Sequence, residues 1–152
     1  FAASDDSKDR SVINPIEAII KIKNDVHFRN HKIELEVLND EAATVNENVF
    51  VRSITNILNN AIDKAGRIII KAEVNSKMIK INIHDNGPGI DDEEKANVFK
   101  PFYRIDKSRN QNKTNSGLGL ATTKSLLGSI NGKISLHDSY LGGLEVAIVI
   151  QN

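Results

Sequence analysis

Three short stretches carry residues whose chemistry goes beyond what a fold needs. The first is Asp85-Asn86-Gly87-Pro88-Gly89, which ends a run where Ile79, Ile81 and Ile83 alternate with Lys80, Asn82 and His84. Side chains alternate faces along a strand, so Asp85 shares the face of the three isoleucines, the buried one. A carboxylate on a buried face is costly unless something satisfies it, and glycines just after it let a backbone or a ligand come close. An inward acid beside such a turn points to a ligand carrying hydrogen-bond donors. The second stretch holds Asn56, Asn60 and Asp63, three and four residues apart and so on one side of a helix. Two readings stand open: a solvated polar face, or a pair of amide oxygens placed for a hard cation such as Mg²⁺, which also takes phosphate oxygens and waters. Asn is a poor helix-interior residue on propensity alone, which makes the second reading worth testing. The third is Gly117-Leu118-Gly119-Leu120, where a loop becomes a helix. Glycines, exposed N–H groups and the helix dipole there suit a phosphate, although a helix start explains a lone G-x-G about as well. The loop before it holds Lys100, Arg104, Lys107, Arg109 and Lys113, opposed only by Asp106. A solvated charge run or a nucleic-acid patch would also account for that cluster, but Phe102 and Tyr103 are too few aromatics for single-strand stacking.

The elements that must position these residues follow from pattern and punctuation. Asn14 as N-cap and Pro15 at the first helical position predict a helix, with Ile16, Ile19, Ile20 and Ile22 carrying it to about residue 29. Ile33, Leu35 and Val37 alternate with charged residues and predict a strand. Asn46 can cap a long helix running to 65, with Gly66 as its stop. On that helix Phe50, Ile54, Ile57, Leu58, Ala61 and Ala65 fall opposite the asparagines. Residues 67–74 and 78–85 predict a β-hairpin around Asn75-Ser76. Residues 91–99 read as a short helix with an acidic first turn. Residues 100–116 have no pattern, and a loop that long in a compact domain is functional or disordered. A helix over 117–130 ends at Asn131-Gly132, and strands over 133–137 and 144–150 flank Gly142-Gly143. Residues 1–13 are mostly polar and read as a linker or tail.

Composition excludes whole classes of function. With 20 basic and 20 acidic side chains among 152 residues, overall charge implies neither nucleic acid nor a membrane surface. The absence of cysteine excludes disulfides and thiolate metal or redox sites, and fits a reducing compartment. No apolar run approaches a membrane span, and no signal peptide is visible. The length suits one domain with a sizeable core. The chain starts at Phe1 rather than Met, as a piece of something longer would.

The order of the motifs is more specific than any one of them. An Asn-bearing helix, an inward Asp with D-x-G-x-G, then Phe99-Lys100-Pro101-Phe102-Tyr103-Arg104, then S-G-L-G-L-A, resembles the ATP-binding catalytic domain of sensor histidine kinases, over about 14–150. That superfamily also holds type II topoisomerases, mismatch-repair ATPases and certain chaperones. Asn56 and Asn60 match its N box, 85–89 its first glycine box, 99–102 its F box, 117–120 its second glycine box and Gly142-Gly143 its last glycine turn. The F box followed by Tyr-Arg and S-G-L-G-L-A points to the histidine kinase branch.

The resemblance implies a fold: an α/β protein, a two-layer α/β sandwich of the Bergerat type. A mixed, mostly antiparallel sheet of about five strands packs on three helices, with a mobile ATP lid over about 90–116 and the domain over 14–152. It implies ATP and Mg²⁺ as cofactors. Asp85 would accept a hydrogen bond from the adenine amino group; guanine presents a carbonyl there, so GTP would be rejected. Asn56 and Asn60 would hold Mg²⁺, and with Arg104 at the terminal phosphate they are the expected catalytic residues. Asn60, Lys64, Asp85, Gly87, Gly89, Ile90, Phe102, Tyr103, Arg104, Lys107, Gly117, Leu118, Gly119 and Leu120 would bind the nucleotide, and catalysis would be positioning and charge neutralisation. ATPase members carry a glutamate base where this chain has Asn56, so ATP hydrolysis should be poor. The implied partners are a histidine-bearing dimerisation domain of the same full-length protein, expected N-terminal to Phe1, and a response regulator receiver domain. Neither nucleic acid nor direct membrane contact is expected, and the location is the cytoplasmic part of a membrane-bound sensor kinase. The chain would bind ATP without autophosphorylating alone. A degenerate ATP-binding scaffold and an anti-sigma-type serine kinase are the alternatives.

Three positions depart from the family pattern. Asp63 stands where many members carry Lys or Arg, with Lys64 beside it as compensation. Asn115 replaces a glycine, and Asn46 replaces an Asp but caps equally well. His84 with Asp85 imitates a phosphoacceptor box, yet it sits on a strand that ends in glycines and not on a helix. His27 and His31 lack a third ligand, and with His137 they read as surface histidines.

Overall fold

The computed structural model describes residues 11–103 and 119–151. The elements, in chain order, are β1 (Val12–Ile13), α1 (Pro15–Asn24), β2 (Ile33–Asp40), β3 (Val45–Asn46), α2 (Glu47–Ile62), β4 (Ile68–Val74), β5 (Met78–Asp85), α3 (Asp92–Lys95), a 3₁₀ turn (Asn97–Phe99), α4 (Gly119–Gly128), β6 (Gly132–Asp138) and β7 (Leu144–Gln151).

Five strands form one sheet in the order β2-β4-β5-β7-β6. Only β2 and β4 run parallel, and α2 lies in the crossover that a parallel pair requires. The mixed, mostly antiparallel sheet expected from the motif order is therefore present. Register explains the core. Ile83 sits between Ile70 and Val146, Ile81 between Ala72 and Ile148, and Ile79 between Val74 and Ile150, all of them buried. Ile16, Ile19 and Ile22 of α1, Phe50, Ile54, Ile57 and Leu58 of α2 and Leu127 of α4 join these strands in one hydrophobic cluster. Truncating a residue such as Ile81 to Ala in so close-packed a cluster costs about 2–5 kcal/mol.

The caps fall where the sequence puts them. Asn14 Oδ1 accepts the Glu17 N–H at 3.1 Å, and Asn46 Oδ1 accepts the Val49 N–H at 2.9 Å. The helix ends do not. α1 stops at Asn24, short of the expected 29, because Asp25 turns to ψ 149° and its side chain accepts the His27 N–H. A short polar side chain bonding its own backbone competes with helix continuation. α2 stops at Ile62 rather than at Gly66; Lys64 and Ala65 bond back to the Ala61 carbonyl, and Gly66 is not in the left-handed region. The expected helix over 91–99 is split into α3 and the 3₁₀ turn.

Residues 12 and 13, read as part of a linker, belong to the fold. β1 pairs with β3, and Ile13 joins the core. Two-residue strands carry no periodicity to read.

Candidate functional site

Asp85 ends the inner row of β5 and is 8% exposed. Its Oδ1 accepts two backbone N–H groups, Gly87 at 2.9 Å and Leu144 at 3.1 Å, and its carbonyl accepts Gly143 at 3.2 Å. Both side-chain bonds fall on Oδ1. Among the described residues Ser53 Oγ is the one buried side-chain polar atom without a partner, so Oδ2 keeps an open face. A fixed carboxylate with one saturated and one open oxygen is an acceptor for a ligand N–H.

Glycines make this wall possible. A Cβ on Gly143 would lie 2.2 Å from Asp85 Oδ1 and 2.6 Å from its carbonyl oxygen; one on Gly87 would lie 2.9 Å from the Lys64 carbonyl. Gly89 takes φ 73° and lies against Gly143. Asn86 Oδ1 accepts the N–H groups of Gly66 and Arg67, both at 2.9 Å, and so ties the exit of α2 to the exit of β5. The sequence marked Gly142-Gly143 as a glycine turn and gave Asn86 no role of its own.

Asn56 and Asn60 are half-buried and do not form a solvated face. Asn56 Nδ2 donates to Thr123 Oγ1 at 3.3 Å, and Thr123 Oγ1 donates to the Gly119 carbonyl at 2.7 Å. The threonine proton is thus in use, so Thr123 accepts from Asn56, which turns the amide oxygen of Asn56 away from it. Gly119 opens α4 beside Asn60: a Cβ there would come within 3.4 Å of Asn60 Nδ2. Both asparagines therefore line the seam between α2 and α4, while Asp63 and Lys64 are exposed beyond the helix end. The solvated-face reading is overturned for Asn56 and Asn60. Among the described residues no cluster of His, Cys, Asp or Glu could hold a metal. A cation here would rest on amide oxygens plus those of the anion it accompanies, a donor set that Mg²⁺ accepts. Thr123 was missed; its signal was the four-residue helical spacing from Gly119.

The other expected residues are distributed as follows. Ile90 is half-buried, and its carbonyl accepts Lys95 Nζ at 2.9 Å; the same ammonium reaches Asp138 at 3.0 Å. Leu120 packs against the core. Phe102 is exposed at φ 65°, and Tyr103 donates its hydroxyl proton to Glu94. Arg104, Lys107, Gly117 and Leu118 lie outside the described residues, as does Asn115. His31 is exposed, exposed His27 bonds Asn59, and exposed His137 bonds Ser135, in keeping with surface histidines.

Residues 45–152 match the family model described as histidine kinase-, DNA gyrase B-, and HSP90-like ATPase. The chain belongs to this ATPase family. The ATPase domain is 34% identical over 104 residues to sensor histidine kinase CpxA of Escherichia coli (strain K12), covering 68% of this chain and 23% of that protein. It is 28% identical over 126 residues to signal transduction histidine-protein kinase BaeS of the same strain, covering 80% of this chain and 27% of that protein. The chain thus spans about a quarter of the length of these curated relatives. The solved catalytic domain of histidine kinase ThkA superimposes with a TM-score of 0.73 at 21% identity, covering 93% and 94% of the two chains, a likeness of fold. The ATPase domain is of the ATP-binding catalytic type that sensor histidine kinases carry. Among its described residues no helix is long and apolar enough to cross a membrane.

Proposed function

We propose that this domain holds Mg-ATP for transfer of the γ-phosphoryl group to a histidine on a dimerisation domain of the same full-length protein. From there the phosphoryl group would pass to a response regulator receiver domain. The observation that carries the reading is Asp85, whose Oδ1 is saturated by backbone N–H groups while Oδ2 stays open beside a glycine wall. That oxygen accepts the adenine amino proton and meets only a carbonyl in guanine, which selects ATP. Asn56 and Asn60 offer oxygens to Mg²⁺, and Gly119 lets the start of α4 approach the phosphates. Lys64, Gly87, Gly89, Ile90, Phe102, Tyr103 and Leu120 complete the nucleotide site with Arg104, Lys107, Gly117 and Leu118. Residues 14–152 are its domain and 90–116 its lid. Bound Mg²⁺ supplies charge neutralisation for phosphoryl transfer. Asn56 cannot take a proton from water, so hydrolysis is slow and the phosphoryl group is kept for the histidine. The domain sits on the cytoplasmic side of a membrane-bound sensor.

The full-length protein incubated with γ-labelled ATP tests this. Acid-labile label on a histidine is expected, lost in Asn60→Ala. Label on a serine would favour the anti-sigma-type kinase instead, and nucleotide binding without any label would favour a scaffold.

A further inference from the structure

Among the described residues, His84 is the buried titratable side chain for which the proposed function has no use. It lies on β5 next to Asp85 but on the opposite face of the sheet, and is 7% exposed. Tyr140 covers it, with ring centroids 4.9 Å apart and edges to faces. His84 Nδ1 and Ser139 Oγ are 2.9 Å apart. Ser139 is buried, and its Oγ also accepts the Leu141 N–H at 3.1 Å, while its own N–H donates to the Gly143 carbonyl at 2.9 Å. Gly143 in turn donates to the Asp85 carbonyl, and Leu144 to Asp85 Oδ1. A continuous chain of hydrogen bonds therefore runs from the far face of the sheet, through the 139–143 turn, to the carboxylate of the candidate base site.

We propose that His84 is a positioning residue for the base site: neutral His84 holds Ser139 and the 139–143 turn in the shape that fixes Asp85, and a proton on the ring releases that turn and weakens nucleotide binding. The inference rests on the reading of Asp85 as the adenine acceptor. The tautomer follows from the neighbours. His84 Nε2 lies 3.9 Å from Glu145 Oε2. A lone pair aimed at a carboxylate is unfavourable, so the neutral ring carries its proton on Nε2 and accepts the Ser139 hydroxyl proton at Nδ1. Protonation puts an N–H on Nδ1, so the ring can only donate to Ser139 Oγ, which already accepts Leu141, and the hydroxyl proton must turn away from the ring. The new cation also lies against Tyr140, whose ring has the Lys71 ammonium 4.7 Å from its centroid.

Among the described residues the charged groups around the ring are few. Lys71 projects from β4, with Arg67 just before that strand paired to Glu34 of β2. Glu145 projects from β7, holds Asn82 of β5 and faces His137 of β6. Asp85 adjoins on the other face. Burial, the largest influence, pushes the His84 pKa below the usual 6.5; Lys71 pushes the same way, while Glu145 and Asp85 oppose it. Neutral His84 is thus the state near neutral pH, and acidification is the signal.

The test follows the His84 ring and the Gly143 and Leu144 amides by NMR from pH 8 to 5, without nucleotide, in wild type and Ser139→Ala. Calorimetry then compares Mg-ATP affinity at pH 7.5 and 5.5 in wild type and His84→Asn, which keeps an acceptor near the Nδ1 position but does not titrate. Comparing the two proteins removes the nucleotide's own protonation. In wild type both amides should shift along the ring's titration curve; in Ser139→Ala the ring should titrate with the amides no longer following. Affinity should fall several-fold more on acidification in wild type than in His84→Asn. Amides that ignore the ring, amides that follow equally in Ser139→Ala, a ring neutral down to pH 5, or equal affinity losses in the two proteins would each overturn the proposal. If wild type binds no nucleotide while the amides still follow the ring, the coupling stands and the adenine reading is what falls.

Discussion

The two ends of the candidate site are built from different materials. At the base end Asp85 is held by main chain alone: two N–H groups on Oδ1, and two glycines with no room for a Cβ. At the seam between α2 and α4 the polar groups are side chains: Asn56 reaches Thr123 through one 3.3 Å bond, and Asn60 stands in ordinary contact range of Gly119. Backbone fixed by a sheet has little freedom to adjust, whereas side-chain amides between two helices can rotate and shift. The base end is therefore suited to discrimination, and the seam to a cation and phosphates that arrive and leave.

Glycine substitution is the hardest push on that contrast. Gly143→Ala drives a Cβ to 2.2 Å from Asp85 Oδ1, and nothing there can move cheaply. ATP binding should become undetectable by calorimetry, with a lower melting temperature. Among the described residues, Gly119→Ala comes nearest the Asn60 amide at 3.4 Å, and should weaken ATP binding about tenfold or less. Equal effects at both glycines would erase the distinction.

Asn60→Ala sharpens the contrast by separating the ends. Adenosine binding should persist, while the gain in affinity that Mg²⁺ and the phosphates add should disappear in the same titrations. Loss of adenosine binding would mean that the seam supports the base end as well.

Thr123→Val is a smaller change. It leaves the Asn56 amide without its partner in a half-buried seam, a loss worth about 1–3 kcal/mol. Thermal unfolding should register it, and base binding should not.

Acid should act more weakly still. Burial lowers the His84 pKa in the folded protein, so the unfolded chain takes the proton first. The stability His84 contributes is full above the ordinary value of 6.5 and is lost as pH falls below it toward the folded value. Melting temperature should fall more steeply below pH 6.5 in wild type than in His84→Asn; parallel curves would remove His84 from the account.

These regions also differ in how far the sequence announces them. Strand alternation alone put Asp85 on the buried face, because period two leaves a residue only two faces to choose from. The α2 pattern shows one strong apolar stripe and so invited a solvated reading of Asn56 and Asn60. α2 packs a second side against α4, and no periodicity within α2 reports a neighbour that arrives some sixty residues later. The role of Gly143 was hidden for a similar reason, since the doublet reads as a turn until β7 brings it against β5. His84 looked like an outward-facing strand residue; it is buried because Ser139 and Tyr140, in the turn between β6 and β7, close over it.

The most direct measurement is calorimetric titration of Mg-ATP into wild type and Asp85→Asn, with GTP as control. Binding of ATP in wild type, loss in the variant and no response to GTP are predicted. Binding that survives in a folded Asp85→Asn, or GTP that binds as well as ATP, would contradict the assignment of Asp85 as the adenine acceptor.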